Sequence, residues 1–237
     1  MEAHRLVQNL ECTLIPGSYP SAERVPAFYN SVYAYWKKTW GEFFVKAGSG
    51  PVALNVENFL RSKYIIVLHQ GSTIVGTLSS SIFNTQADPT YDHSSVKPFP
   101  EHVQEAMKSF SPGAYITGEY LSVHPAFRKD ILDLSLADVL VGLLLKIMME
   151  GRYSAMLATP VRKAKVADIT MNYGAHEVGS YLKIGVDCQM IYVTRDMYRE
   201  HADARVNEVV QRLWAQRRDL TNETNKTKTE IPLKRVS

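Results

Sequence analysis

Hydrophobic positions along the chain switch between the period of a strand and the period of a helix. Residues 6–15 alternate weakly and predict a first strand, and apolar residues from Val25 to Phe43 recur at helical spacing. Two β-rich runs that meet at His69–Ser72 predict a hairpin with Gly71 in its turn. A further strand is predicted over residues 114–123, and Pro125 ends it.

The second half continues the alternation of helices and strands. Ser135 is predicted to open a long apolar helix, with Asp138 three residues later as in a capping box. Tyr153–Pro160 has the composition of a strand buried on both faces, and the short helix after it stops at Gly174. Two strands and an amphipathic helix follow. This order predicts a single mixed α/β domain over residues 1–216.

Two segments lack this patterning. Residues 84–113 contain four prolines and little periodicity, which is typical of a functional lid or a disordered insert. Residues 217–237 are rich in Thr, Asn and Lys and are predicted to be a disordered basic tail. The tail accounts for the whole formal excess of +3, so the body is neutral. Because nucleic-acid binders normally carry a basic face on the folded part, we exclude that class.

Cysteine spacing and hydropathy further restrict the classes of protein to which this chain can belong. Cys12 and Cys188 lie far apart in strand-like runs, so we expect two buried free thiols and no metal site. The longest apolar run, Val139–Met149, is too short to cross a bilayer and carries Lys146, so no transmembrane segment is predicted. The polar start lacks the pattern of a secretory signal, and we expect a cytoplasmic protein.

Three stretches, in the order "TIVGTL", "LSVHPAFR" and "ATPVRKAKVADITMNYGAHEVG", carry a resemblance that spans about Tyr64 to Val193. They resemble the GNAT superfamily of N-acyltransferases, which take acyl groups from thioesters of coenzyme A or of an acyl carrier protein. The long aromatic helical region and the strand "GEYLSV" also resemble the branch of N-acyl amino acid synthases and acyl-homoserine lactone synthases.

The resemblance implies a central mixed sheet flanked by helices, with the family's fourth and fifth strands splayed apart. The pantetheine arm of the donor would bind the unpaired backbone of Leu121, Ser122 and Val123. It implies no permanently bound cofactor: an acyl-CoA or acyl-carrier-protein thioester is the co-substrate. The acceptor would be a primary amine of a small molecule such as an amino acid, and a homodimer is among the expected assemblies.

In the GNAT family, the donor phosphates bind at the start of the helix that follows this strand, where the family sequences have glycines. Counting from Arg128 without a gap puts Ile131 and Asp133 at those positions. A small insertion instead puts Ser135 and Ala137 there, and we favour it because it agrees with the capping box. The phosphate-binding residues implied in that register are Arg128, Lys129, Ser135 and Ala137.

Candidate catalytic groups follow from attack of an amine on a thioester. Strand alternation predicts Glu119 on the same face as Leu121, where it acts as the base or else as a cross-strand salt-bridge partner. His124 is a second candidate base, or else an exposed turn histidine. The family's late-helix tyrosine acid corresponds to Thr170 here, so either Tyr173 reaches in or the thiolate leaves unaided.

Two functional hypotheses remain at this point. One, which we prefer, is an N-acyltransferase, and it is favoured by Glu119, Arg128 and the intact "LSVHP" strand exit. The other, favoured by the missing glycines and by Thr170, is a non-catalytic GNAT-like binding or regulatory domain.

Overall fold

The computed structural model describes residues 6–19, 26–48, 54–109, 113–183 and 185–221. Its strands are β1 (Glu11–Ile15), β2 (Tyr64–Gln70), β3 (Thr73–Ser80), β4 (Ile82–Asn84), β5 (Ala114–Val123), β6 (Ala155–Ala158), β7 (His176–Lys183), β8 (Val186–Thr194) and β9 (Arg218–Asp219). Its helices are α1 (Ala27–Lys46), α2 (Glu57–Leu60), α3 (Pro89–Asp92), α4 (Glu101–Lys108), α5 (Lys129–Leu132), α6 (Leu136–Glu150), α7 (Val166–Met171) and α8 (Ala204–Ala215).

The strands form one mixed sheet. Its order is β7-β8-β6-β5-β3-β2-β1-β9, and β4 pairs with β5 outside this path. Most neighbours are antiparallel, but β5 and β6 are parallel because α6 crosses over between them. The predicted mixed α/β fold is confirmed.

Helices cover both faces of the central strands. On β2, Ile66 and Leu68 belong to the hydrophobic cluster formed with α6 and α8, whereas Ile65 and Val67 belong to the cluster formed with α1. Since both faces are buried, β2 is continuously apolar rather than alternating.

The segment predicted as a lid or a disordered insert is a packed part of the fold wherever the structure describes it. It contains α3 and α4, and Val96, Phe99 and Met107 are buried there. These side chains form a third hydrophobic cluster with Tyr115 of β5. The segment is ordered because it buries its own apolar residues against the sheet, which places it beside the middle of β5.

Both predicted chain-end boundaries need correction. The first strand begins only at Glu11, because residues 6–9 are helical and turn. Residues 217–221, predicted as tail, belong to the fold: β9 pairs in parallel with β1, and Leu220 is buried. Residues 222–237 lie outside the described part of the chain.

The two cysteines are buried and free, as predicted. Burial raises the pKa of the Cys12 thiol to about 12 and also raises the pKa of Cys188. Among the described helices, none is long and apolar enough to cross a membrane.

Candidate active site

The sheet opens between β5 and β6. Their parallel pairing ends at Gly118 and Ala158. Beyond that point the chain after β6 stays with β8, since the Gln189 amide donates to the Pro160 carbonyl at 2.9 Å. The next residue, Val161, forms an isolated bridge with β8 as well.

The end of β5 stays with β3 instead. Ser122 pairs with Thr77, and Val123 pairs with Gly76, where a Cβ atom would lie 2.8 Å from the Ser122 carbonyl oxygen. The two halves of the sheet therefore diverge, as the resemblance implied. Along residues 121–123, no described strand pairs with β5 on the β6 side.

A β-bulge interrupts β5 at the point where the strands diverge. Thr77 pairs with Ser122, but two residues further along β3, Ser79 pairs with Glu119, which is three residues back along β5. Tyr120 lies inside this bulge with φ at 54°, in the left-handed region that a non-glycine residue rarely adopts. Such strain persists only where the surrounding structure enforces it, and it is concentrated at functional sites.

The bulge corrects the predicted side-chain alternation. Glu119 reaches Arg61 and Tyr120 packs on Trp40 at 5.1 Å between ring centroids, so both face the side of the sheet covered by α1 and α2. Leu121 packs against the opposite cluster, under α6. Glu119 and Leu121 therefore do not share a face, because the extra residue shifts the alternation by one.

Glu119 lies at the centre of a polar cluster. The Arg61 Nη2 group donates to its Oε2 atom at 2.5 Å, and the Thr117 hydroxyl donates to its Oε1 atom at 2.6 Å. Only 11% of the Glu119 side chain is exposed, against 27% for Arg61. Glu119 thus forms a salt bridge, but with Arg61 at the end of α2 and not across the strands as expected, and its carboxylate oxygens keep further lone pairs.

Two more basic side chains join this cluster from distant segments. Arg61 Nη1 donates to His93 Nε2 of the insert at 2.9 Å. Burial, with the charges of Arg61 and Lys183, lowers the pKa of His93 to about 4, so the imidazole is neutral at neutral pH. Burial also lowers the pKa of Lys183 at the end of β7, and the nearby Glu119 charge opposes that shift.

No family model and no curated protein matches the sequence. Among solved structures, the chain is similar to FeeM, an N-acyl amino acid synthase from uncultured soil microbes, with 12% identity and a TM-score of 0.50. The likeness covers 80% of this chain and 93% of that one.

The chain has the GNAT fold.

Two further solved structures are similar with lower TM-scores. The chain is 11% identical to yncA from Salmonella typhimurium, solved with acetyl-CoA, over 81% of this chain and 99% of that one, with a TM-score of 0.46. It is 12% identical to the aminoglycoside acetyltransferase AAC(6')-Ib, solved with coenzyme A, over 79% and 96% of the two chains, with a TM-score of 0.45.

The segment between β5 and α6 contains an additional short helix. A four-residue helix, α5, occupies the extra length after Arg128, and α6 begins only at Leu136. Ser135 caps α6 as predicted, since its hydroxyl accepts the Asp138 amide at 3.3 Å. Ile131 lies in α5 and is 51% exposed.

Acidic side chains near this helix start are occupied elsewhere. Asp138, in the first turn of α6, pairs with His201 Nε2 at 2.9 Å, and both side chains are 10% exposed. Asp133 ends α5 and pairs with Arg205 at 3.2 Å. Arg128 and Lys129 are exposed at the start of α5, and Ala137 is half-buried within the first turn of α6.

Two predicted catalytic residues are not brought to the Glu119 cluster. Tyr173 is buried in the core, and its hydroxyl donates to the Asp138 carbonyl oxygen at 2.8 Å. Burial raises its pKa far above the ordinary value, which opposes a role as acid. His124 lies beyond the strand, where its Nδ1 accepts the Ala126 amide at 3.3 Å.

Sequence reasoning missed Arg61, His93 and Lys183, which approach Glu119 from three separate segments. The length of the insert was the available signal for His93. No local pattern distinguishes Arg61 or Lys183 from ordinary surface charges.

Proposed function

We propose that this protein is an N-acyltransferase that moves an acyl group from an acyl-CoA or acyl-carrier-protein thioester to the primary amine of a small molecule such as an amino acid. The main support for this proposal is that the carboxylate of Glu119 lies next to the bulge where β5 and β6 separate. A reactive group therefore adjoins the gap in which a thioester arm finds backbone partners.

The donor pairs with β5 as an added strand in this proposal. Ser122 is buried and its hydroxyl contacts the Thr77 hydroxyl at 3.0 Å. The backbone of residues 121–123 has no described strand partner on the β6 side. Amide groups of a pantetheine arm satisfy those backbone groups in the same way as a peptide does in β-augmentation. The thioester then lies at the bulge.

The donor's anionic groups extend to the start of α6. Arg128 and Lys129 supply positive charge, while Ser135 and Ala137 keep the helix start small. Asp138, the acidic residue in the first turn of α6, is held by its contact with His201, and the unpaired backbone N–H groups of the helix start favour an anion there.

Glu119 is the general base. Thr117 and Arg61 fix its orientation, and a free lone pair on either oxygen accepts the amine proton directly or through one water. The attacking nitrogen forms the amide bond as the carbon–sulfur bond breaks. The thiolate departs without a protein acid because thiols are much more acidic than alcohols, and Tyr173 stays in the core.

The identity of the acyl donor can be tested with a series of thioester ligands. Free CoA, acetyl-CoA, long-chain acyl-CoAs and an acyl-loaded carrier protein are compared by thermal shift. A ligand at 100 times its Kd stabilises the fold by about 2.7 kcal/mol, or about 5–10 °C for a protein of this size. Stabilisation by none of them in a folded sample would support the non-catalytic domain instead.

Turnover tests the base. Thiol release from the stabilising donor is followed with a panel of amino acids and amines, for wild type and Glu119→Gln. We expect kcat to fall by about 10²- to 10⁴-fold with donor binding retained. Unchanged turnover in the variant would show that Glu119 is not the base, but it would leave the assignment of the fold unchanged.

A further inference from the structure

The cluster around Glu119 contains more positive than negative charge. Arg61 and Lys183 are cations, Glu119 is the carboxylate that pairs with Arg61, and His93 is neutral at neutral pH because its pKa is about 4. Among the described residues, one positive charge of this half-buried group has no counter-charge. Charge in such a position is costly unless an anion pairs with it.

Lys183 is the cation left over. It is half-buried at the end of β7, opposite Val186 of β8. Across the described residues, its amine has no hydrogen bond and no carboxylate within ion-pair distance, whereas Arg61 is engaged by Glu119 and His93. Burial lowers the pKa of Lys183, because desolvation disfavours its charged form, and the Glu119 charge opposes this shift.

Buried polar atoms without partners adjoin the same cluster. The Nε atom of Arg61 and the hydroxyls of Ser79 and Tyr115 have no hydrogen-bond partner within the part of the chain that the structure describes. Ser79 is fully buried and is the direct cross-strand neighbour of Glu119. Such groups are normally satisfied, so their convergence points to a polar ligand.

We propose that Lys183 binds a carboxylate of the acceptor and thereby determines specificity for zwitterionic amines of the α-amino acid class. The Arg61 Nε group and the Ser79 hydroxyl supply further hydrogen bonds to that ligand, and its amine lies toward Glu119. Positive charge then faces the carboxylate and negative charge faces the ammonium. This inference rests on the proposed acyltransfer at Glu119 and assigns the acceptor side of that site.

Matched acceptor pairs test the proposal. Phenylalanine with phenethylamine, and leucine with isopentylamine, differ only in the carboxylate; each is assayed with the donor that stabilises the protein. Lys183→Met removes the charge and keeps much of the length, Lys183→Arg keeps the charge, and the exposed Lys97→Met is the control.

We expect Lys183→Met to lower kcat/KM for the amino acids by about 10- to 100-fold, mostly through KM, as for a lost hydrogen bond between charged groups. The decarboxylated amines should change by less than about twofold in the same variant. Lys183→Arg should retain most of the preference, and Lys97→Met all of it. Equal losses for both members of each pair would overturn the inference.

A binding measurement separates this inference from the proposed function. Free CoA should stabilise wild type and Lys183→Met equally; a smaller shift in the variant would assign Lys183 to donor phosphates and overturn the acceptor role. If donor binds but no acceptor turns over, the acyltransferase proposal fails by itself. The inference is then decided by whether phenylalanine raises the Tm of wild type but not of Lys183→Met in the presence of CoA.

Discussion

The ion pair between Arg61 and Glu119 should contribute measurably to the free energy of unfolding. Glu119→Gln removes the negative charge at nearly constant shape, and Arg61→Met removes its partner. Breaking a fully buried pair costs about 3–5 kcal/mol because a charge is left unpaired. Here 27% of the Arg61 side chain is exposed, so we expect each single variant to lose about 2–3 kcal/mol.

The double variant should lose much less than the sum of the two, because neither charge is then left alone. We expect a coupling free energy of about 1.5–3 kcal/mol from the double-mutant cycle. Each single variant should melt about 4–12 °C below wild type. Urea unfolding is followed by tryptophan fluorescence, for which Trp36 and Trp40 of α1 lie close to the cluster, in contact with Tyr120.

A surface ion pair of the same type is the control. Arg162 and Glu177 approach to 3.3 Å with 45% and 31% of their side chains exposed. Their cycle should give less than about 1 kcal/mol. If the Arg61–Glu119 cycle is no larger than this control, the pair is effectively solvated and the charge argument for Lys183 fails with it.

Three further outcomes are expected. Gly174→Ala should destabilise the fold by about 3 kcal/mol or more, because φ is 96° and the new Cβ would meet a backbone carbonyl oxygen at 2.1 Å. Gly41→Ala in α1 is the matched control: the new Cβ would have nothing within 4 Å, so this variant should be more stable by about 0.5–1 kcal/mol in the same urea assay. Tyr173→Phe should cost about 1 kcal/mol through its lost hydrogen bond while the pH profile of kcat/KM stays unchanged; a lost basic limb would restore Tyr173 as an acid. The pKa of His93 is lowered from 6.5 to about 4 in the folded protein, so the unfolded chain binds a proton first as the pH falls. The free energy of unfolding of wild type should therefore fall by about 2 kcal/mol between pH 6.5 and 4, a value discounted for the partial exposure of His93. An equal fall in His93→Gln would refute this.

Local patterns in the sequence determined most of the secondary structure. The hairpin turn at Gly71, the strand before Pro125 and the Ser135 cap of α6 all depend on residues within a few positions of each other, and all are confirmed. The resemblance over "LSVHP" added the divergence of β5 from β6, and Glu119 was identified as the carboxylate next to it.

Only the tertiary structure decided which side chains meet. The bulge at Tyr120 depends on how β5 registers with β3, so simple alternation put Leu121 on the wrong face. Arg61 and His93 come from segments whose charges look like ordinary surface residues, and they meet Glu119 only because α2 and the insert pack over the same face of the sheet. Periodicity predicts which residues are buried along one element, because the backbone repeats locally. The pairing of charges from different elements depends on long-range packing and register, which no local repeat encodes.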